Sequence, residues 1–272
     1  MRNGQAKGPG IFQRVGESIG NNVIVRSIFR TGGLPVNWNR RQRMMGVLNN
    51  VFLHLHPVRL PKHAVKVKYT WCMGGLSFFT FLVLTITGIL LMFYYRPTAE
   101  HAYMDMVDIG EQVPLGIMRE IHRWGAHLMV LSVWLHMFRV FMTGSYKPPR
   151  EFNWVAGVIL LTLTLLLSFT GYLLPWDQLA IWAITVGTNM GRASPFLGYE
   201  GPGASLMQIG DVKLVHPAAD AAFVLKAGRF VGEATLLRFY VLHCIGLPFI
   251  IMIFMAVHFW RVRKDGGISG PT

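Results

Sequence analysis

The run REIHRWGAHLMVLSVWLHMFR, from Arg119 to Arg139, places His122 and His136 14 positions apart in a largely apolar segment. An α-helix, at about 1.5 Å and 100° per residue, carries the two rings roughly 21 Å apart and about 40° from one face. A hydrocarbon core about 30 Å thick would hold one ring near each side. Imidazole is costly in lipid, so each such histidine points to a functional site with a partner. The partners at matching levels are His243 and His258, in RFYVLHCIGLPFIIMIFMAVHFWRVRK. These are 15 positions apart, which turns the second ring about 60° the other way from the first. Pro248 lies between them, and a bend at an intrahelical proline is expected to absorb that phase difference. Two histidine levels on two spans imply two metal centres stacked across a bilayer.

Two further apolar stretches lack histidine and carry glycine at the same interval. Gly74 and Gly88 are 14 positions apart, as are Gly157 and Gly171. A single glycine in a membrane helix commonly serves helix contact. Repetition of the histidine interval instead makes room for two flat macrocycles inside a four-helix bundle, and two bis-histidine haems suit that space better than small ions. Arg119, Arg123 and Arg139 flank the ligand histidines, where a guanidinium can pair with haem propionates. Snorkelling to the interface is the alternative for these arginines. His127 has no counterpart on the other histidine helix and is read as hydrogen-bonded inside the bundle.

The elements that must hold these residues are legible as four spans, about 71–95, 117–141, 154–176 and 236–262, in an all-α membrane protein. The 272 residues are 52% hydrophobic and 14% charged, too apolar for an ordinary soluble domain. A net charge of +13 raises nucleic acid as a partner, but 12 of the 26 Lys and Arg residues precede residue 70, against Glu17 alone. That distribution is the positive-inside signature and argues for lipid rather than nucleic acid. Residues 1–70 read as a cytoplasmic basic extension with amphipathic surface helices at about 11–30 and 43–55, and His54, His56 and His63, in or just after the second, sit in a polar basic setting and are not read as ligands. No cleavable signal is visible. The acidic connection 96–116 belongs outside, the basic one after Phe141 inside, and 263–272 forms a cytoplasmic tail. A long Gly- and Pro-rich connection, 177–235, carries an amphipathic patch near Trp182 and is expected to be functional. Cys72 and Cys244 form neither a CxxC nor a CxxCH pattern, and no disulfide joins them.

The paired histidines, together with IHRWGAH, FYYRPT, GYLLPWDQ, TLLRFYVLH and the ending RKDGGISGP, resemble cytochrome b of quinol-oxidising complexes, in its four-helix b6 type. The likeness covers about residues 60–272. It implies that His122 and His243 ligate an outer b-type haem, and His136 and His258 an inner one. It implies that Pro175, Trp176, Asp177 and Gln178 border a quinol-oxidation site, with quinone as substrate. It also implies a covalent c-type haem on Cys72, near Arg263, while Cys244 is read as a small apolar residue. The absent PEWY motif implies a second membrane subunit that supplies it. A Rieske-type iron-sulfur protein, a c-type cytochrome or similar acceptor and a dimeric complex complete the expected assembly. The setting is a bacterial cytoplasmic or thylakoid membrane, with both termini on the cytoplasmic or stromal side. The N-terminal extension and the length of the connection after PWDQ depart from the family pattern. Competing readings are a dihaem anchor of a dehydrogenase or hydrogenase and, from another class, a transporter using histidines as proton relays.

Overall fold

In the computed structural model the described residues are Ile11 and 62–269, without the side chain of Val65. The two amphipathic segments expected before residue 60, with His54 and His56, lie outside them apart from Ile11. After a 3-10 turn at Lys62–Val65 the chain forms α1 (Val67–Thr70), α2 (Met73–Met92), α3 (Ala102–Glu111), α4 (Leu115–Met142), α5 (Glu151–Tyr172) and α6 (Gln178–Arg192). A small hairpin, β1 (Gln208–Ile209) with β2 (Val212–Lys213), precedes α7 (Ala221–Lys226). The chain then runs through α8 (Glu233–Val241), a π-helical turn (Leu242–Gly246) and α9 (Leu247–Lys264). Four segments are long and apolar enough to cross a membrane: α2, α4, α5 and the continuous run Glu233–Lys264. Leu-, Phe- and Val-rich sequence of 20 to 32 residues meets the length a bilayer demands. Backbone hydrogen bonds satisfied within each helix meet the other demand.

The chain divides into two compact units, each assembled from separated segments. Of the described residues 62–269, one unit comprises 62–72, 136–160 and 254–269; the other comprises 73–135 and 161–253.

In the larger unit, Tyr95, Ala102, Ile109, Leu174 and Leu236 form a buried cluster that brings the end of α2, α3, the segment after α5 and α8 together. The Tyr95 hydroxyl donates to the Leu174 carbonyl at 2.7 Å. Arg96 adds a three-point grip on the buried Asp105: its backbone N–H at 2.8 Å, Nε at 3.1 Å and a terminal nitrogen at 2.5 Å. These bonds hold the Asp105 carboxyl below the usual carboxylate range. A second cluster, Leu173, Ile184 and Phe239, seats α6. The expected amphipathic patch near Trp182 is this helix. It buries Ala180, Ile184 and Thr188 at four-residue spacing and leaves Leu179, Trp182, Val186 and Met190 exposed.

The hairpin pairs Ile209 with Val212 and Gln208 with Lys213, and Leu214 N–H donates to Met207 O at 2.9 Å. Alternation therefore puts Met207, Ile209, Val212 and Leu214 on one face.

In the smaller unit, residues far apart in sequence meet. His63 Nε2 lies 3.2 Å from Ile268 O, Arg150 donates to Asp265 O at 3.0 Å and Gly267 O at 3.4 Å, and the Ser145 and Ser269 hydroxyls are bonded. Arg261 is fully buried; it pairs with Asp265 one turn on at 3.1 Å and lies against Phe152.

Candidate functional site

His122 on α4 and His243 on the π-helical turn face each other, with ring centroids 6.3 Å apart and planes at 74°. His136 on α4 and His258 on α9 repeat the arrangement at 6.4 Å and 80°. Each pair lies within one unit, the first in the larger and the second in the smaller.

The matching geometry answers the phase problem raised by the 15-residue interval. The difference is not taken up by a bend at Pro248 alone. Leu247 N–H donates to Leu242 O, five residues back, so a π turn accommodates one extra residue immediately before the proline. Counted that way, the interval has the phase of 14 residues. Pro248, having no N–H, makes no demand on the carbonyls of that widened turn.

The ring surroundings at the first pair are polar and specific. Thr87 Oγ1 lies 2.9 Å from Nδ1 of His122. Thr170 Oγ1 and the Leu167 carbonyl each lie 3.1 Å from Nδ1 of His243. With Nδ1 occupied on both rings, Nε2 remains for a ligand. The next residue after each threonine is a glycine. A Cβ on Gly88 would stand 3.1 Å from Cε1 of His122, and one on Gly171 would stand 2.5 Å from Cε1 of His243. At the second pair a Cβ on Gly157 would lie 3.9 Å from Cε1 of His258. Gly74 is the second residue of α2 and half-buried. Three of the four glycines thus lie directly against a ligand-candidate ring.

These residues fit bis-imidazole ligation of iron. Metal–imidazole bonds of about 2.0 Å on opposite sides of one ion, with about 1.1 Å from nitrogen to ring centre, put the centroids about 6.2 Å apart. Both observed separations agree. Two neutral nitrogen donors facing each other would hold an iron whose remaining ligands a macrocycle would supply, and Gly88, Gly157 and Gly171 put no side chain beside those rings. Among the described residues no group of three or more His, Cys, Asp or Glu side chains could hold a metal ion unaided.

The flanking residues are placed as follows. Arg123 pairs with Glu120 and stacks on Trp124 at 5.0 Å, while Arg119 lies 3.4 Å from Glu120. Arg139 donates to Tyr69 O at 3.2 Å and lies over the Tyr69 ring at 4.4 Å. Arg263 is half-buried in the last turn of α9. His127 is exposed and packs edge-on to Trp124 at 5.6 Å, which differs from the interior hydrogen bond expected of it. Cys72 is a free, exposed thiol in left-handed backbone with φ 52°, its N–H donating to Thr70 Oγ1 at 3.2 Å; Cys244 is free and half-buried.

In the PWDQ segment, Leu173 and Leu174 anchor the entry, Trp176 turns the chain at φ 53°, and Asp177 caps α6 by accepting from Ala180 N–H at 2.8 Å. Sequence reasoning did not single out Thr87, Thr170 or the buried Arg261. Their signal was present as the repeated Thr-Gly pair and as the Arg-x-x-x-Asp spacing at the end of the last span.

Comparison with known proteins agrees with this geometry. The family model "Cytochrome b/b6/petB" matches residues 59–201 and 212–266, leaving out 202–211 and with them β1. The chain is 40% identical to cytochrome b6 of Synechococcus elongatus over 78% of its own length and 88% of the relative's. It is 42% identical to cytochrome b6 of Heliomicrobium gestii over 79% and 90%. A solved chain of a "Hyperthermophilic respiratory Complex III" superposes with a TM-score of 0.61 at 27% identity. That match covers 84% of this chain and 54% of the other, so the present chain spans about half of that longer protein. Four apolar helices, two cross-helix histidine pairs and this extent of identity place the chain in the cytochrome b/b6 family.

Proposed function

We propose that the chain is the cytochrome b subunit of a quinol-oxidising, proton-translocating complex, carrying electrons across the membrane between a quinol-oxidation and a quinone-reduction site. The observation that supports this best is the pair of histidine couples at 6.3 and 6.4 Å, with glycine against three of the four rings that line them. His122 and His243 hold the iron of the outer haem, and His136 and His258 that of the inner haem. Bound haem supplies reversible one-electron chemistry. The chain's own part is to fix ligand orientation through Thr87, Thr170 and Leu167, to leave room through Gly74, Gly88, Gly157 and Gly171, and to keep both centres inside apolar spans. Arg119, Arg123 and Arg139 supply positive charge for the propionates.

Pro175 to Gln178 border the quinol-oxidation site. Trp176 and the Asp177 cap fix where α6 begins, so a quinol bound there meets a rigid wall. A second membrane subunit would complete that wall, a Rieske-type protein followed by a c-type cytochrome or similar acceptor would take one electron, and the haem that His122 and His243 would hold would supply the acceptor for the other. Cys72 forms a thioether to a further c-type haem that Arg263 accompanies, a reading that the exposure of its free thiol supports. Both termini lie on the cytoplasmic or stromal side of an energy-transducing membrane, in a dimeric complex.

One preparation tests the core of this. The purified complex should give a haem-to-chain ratio and reduced-minus-oxidised spectrum for two b-type haems, and His122→Leu should remove one b-type signal while leaving the other. On a denaturing gel this chain should stain for haem peroxidase and lose the stain in Cys72→Ser. Loss of both b-type signals from a His122→Leu chain that is still folded would reject the pairing, and an unstained wild-type band would reject the thioether.

A further inference from the structure

Thr87 and Thr170 occupy equivalent positions on two different helices, each immediately before the glycine that abuts a ligand ring. Their hydroxyl hydrogens are already spent. Thr87 Oγ1 donates to Val83 O at 2.8 Å, with Leu84 O at 3.3 Å, and Thr170 Oγ1 donates to Leu166 O at 2.9 Å, with Leu167 O at 3.1 Å. A hydroxyl has one hydrogen, so toward the histidines each oxygen can only accept. Nδ1 of His122 and Nδ1 of His243 must therefore carry the proton. For His243 the Leu167 carbonyl at 3.1 Å, which cannot donate, imposes the same tautomer independently.

The consequence is electronic as well as steric. A metal-bound imidazole that donates its other N–H to a fixed acceptor becomes a stronger base, and a stronger donor favours the oxidised metal. Both ligands of one centre receive this treatment. At the other level the residues preceding Gly74 and Gly157 are Met73 and Ala156, which have no hydroxyl to offer.

We propose that Thr87 and Thr170 are positioning residues that fix the Nδ1–H tautomer of His122 and His243 and lower the reduction potential of the haem they hold relative to its counterpart. This rests on haem ligation by the two histidine pairs.

The test is a redox titration of the assembled complex, following each b-type band separately. Thr87→Val and Thr170→Val keep the shape and remove the acceptor. Each should retain both haems and move only the His122/His243 centre to more positive potential. The double variant should change its reduction equilibrium at least about tenfold, which is 59 mV for one electron. Thr87→Ser and Thr170→Ser restore the acceptor and should titrate like wild type. Fully loaded valine variants with an unchanged potential, equal shifts of both haems, or serine variants that behave like valine would each overturn the proposal. So would serine variants that fail to load haem. A wild-type complex lacking a haem at His122 would instead refute the ligation on which the proposal rests, so the two failures are distinguishable.

Discussion

A methyl group added at Gly171 would come within 2.5 Å of Cε1 of His243, a ring that Thr170 and Leu167 prevent from swinging aside. At Gly157 the corresponding approach to His258 is 3.9 Å, ordinary contact. The two alanine variants should therefore separate. Gly171→Ala should lose or strongly perturb the His122/His243 haem, at an overpacking cost of about 1 to 3 kcal/mol. Gly157→Ala should perturb the His136/His258 haem much less, keeping it bound with at most a shifted potential. Haem content and band-resolved potentials of the two variants check this, and equal tolerance at both glycines would reduce them to helix-contact residues. The glycines were legible in the sequence because helical rise makes a 14-residue repeat a spatial level. The threonines were not, because a hydroxyl on one helix reveals its acceptor role only once the ring on another helix is in view.

The last span shows what an element can hide from its own sequence. An interval of 15 reads as a mismatch under uniform α-helical phase, and Pro248 offers an obvious cause. The backbone resolves it by a π turn at Leu242–Gly246. Deleting Ile245, which is exposed within that turn, should convert it to α-helix without rotating His243 against His258. Both haems should remain. Inserting one alanine between Met252 and Ile253, in regular α-helix, should rotate one histidine by about 100° and cost a haem. Loss of haem from the deletion variant would show that the wide turn itself is required.

The α2–α3 connection carries a pH dependence of defined sign. Asp105 is depressed by Arg96 in the folded chain, so its contribution is present above the usual carboxylate value of about 3.9 and is lost as pH falls through the lower folded value. Asp105→Asn should lower the thermal midpoint at neutral pH by an amount equivalent to about 1 to 3 kcal/mol. It should also flatten the acid limb of the stability profile, and an unchanged acid limb would mean the pair is not coupled to folding.

Taken as a whole, the architecture was readable wherever it depends on local periodicity: four apolar spans, histidines in register and an amphipathic helix around Trp182. What lay beyond reading was set by distant residues. Arg261, enclosed by Asp265 and Phe152, carried no reading of its own, and residues 265–269 were read only as part of a cytoplasmic tail. They are held by Arg150, Ser145 and His63. A chain ending at Lys264 should accordingly lose the carboxylate that pairs with Arg261, melt at lower temperature, and load the His136/His258 centre less well than the His122/His243 centre. Full loading of both centres in that truncation would show the tail to be dispensable. The His63–Ile268 bond, spanning 205 positions, also sets an order in time. Ribosomes make His63 long before Ile268, so the unit that contains both cannot close until Ile268 has emerged. For the His136/His258 centre, assembly therefore waits on the last span and the residues that follow it, whatever the earlier spans have already done in the membrane.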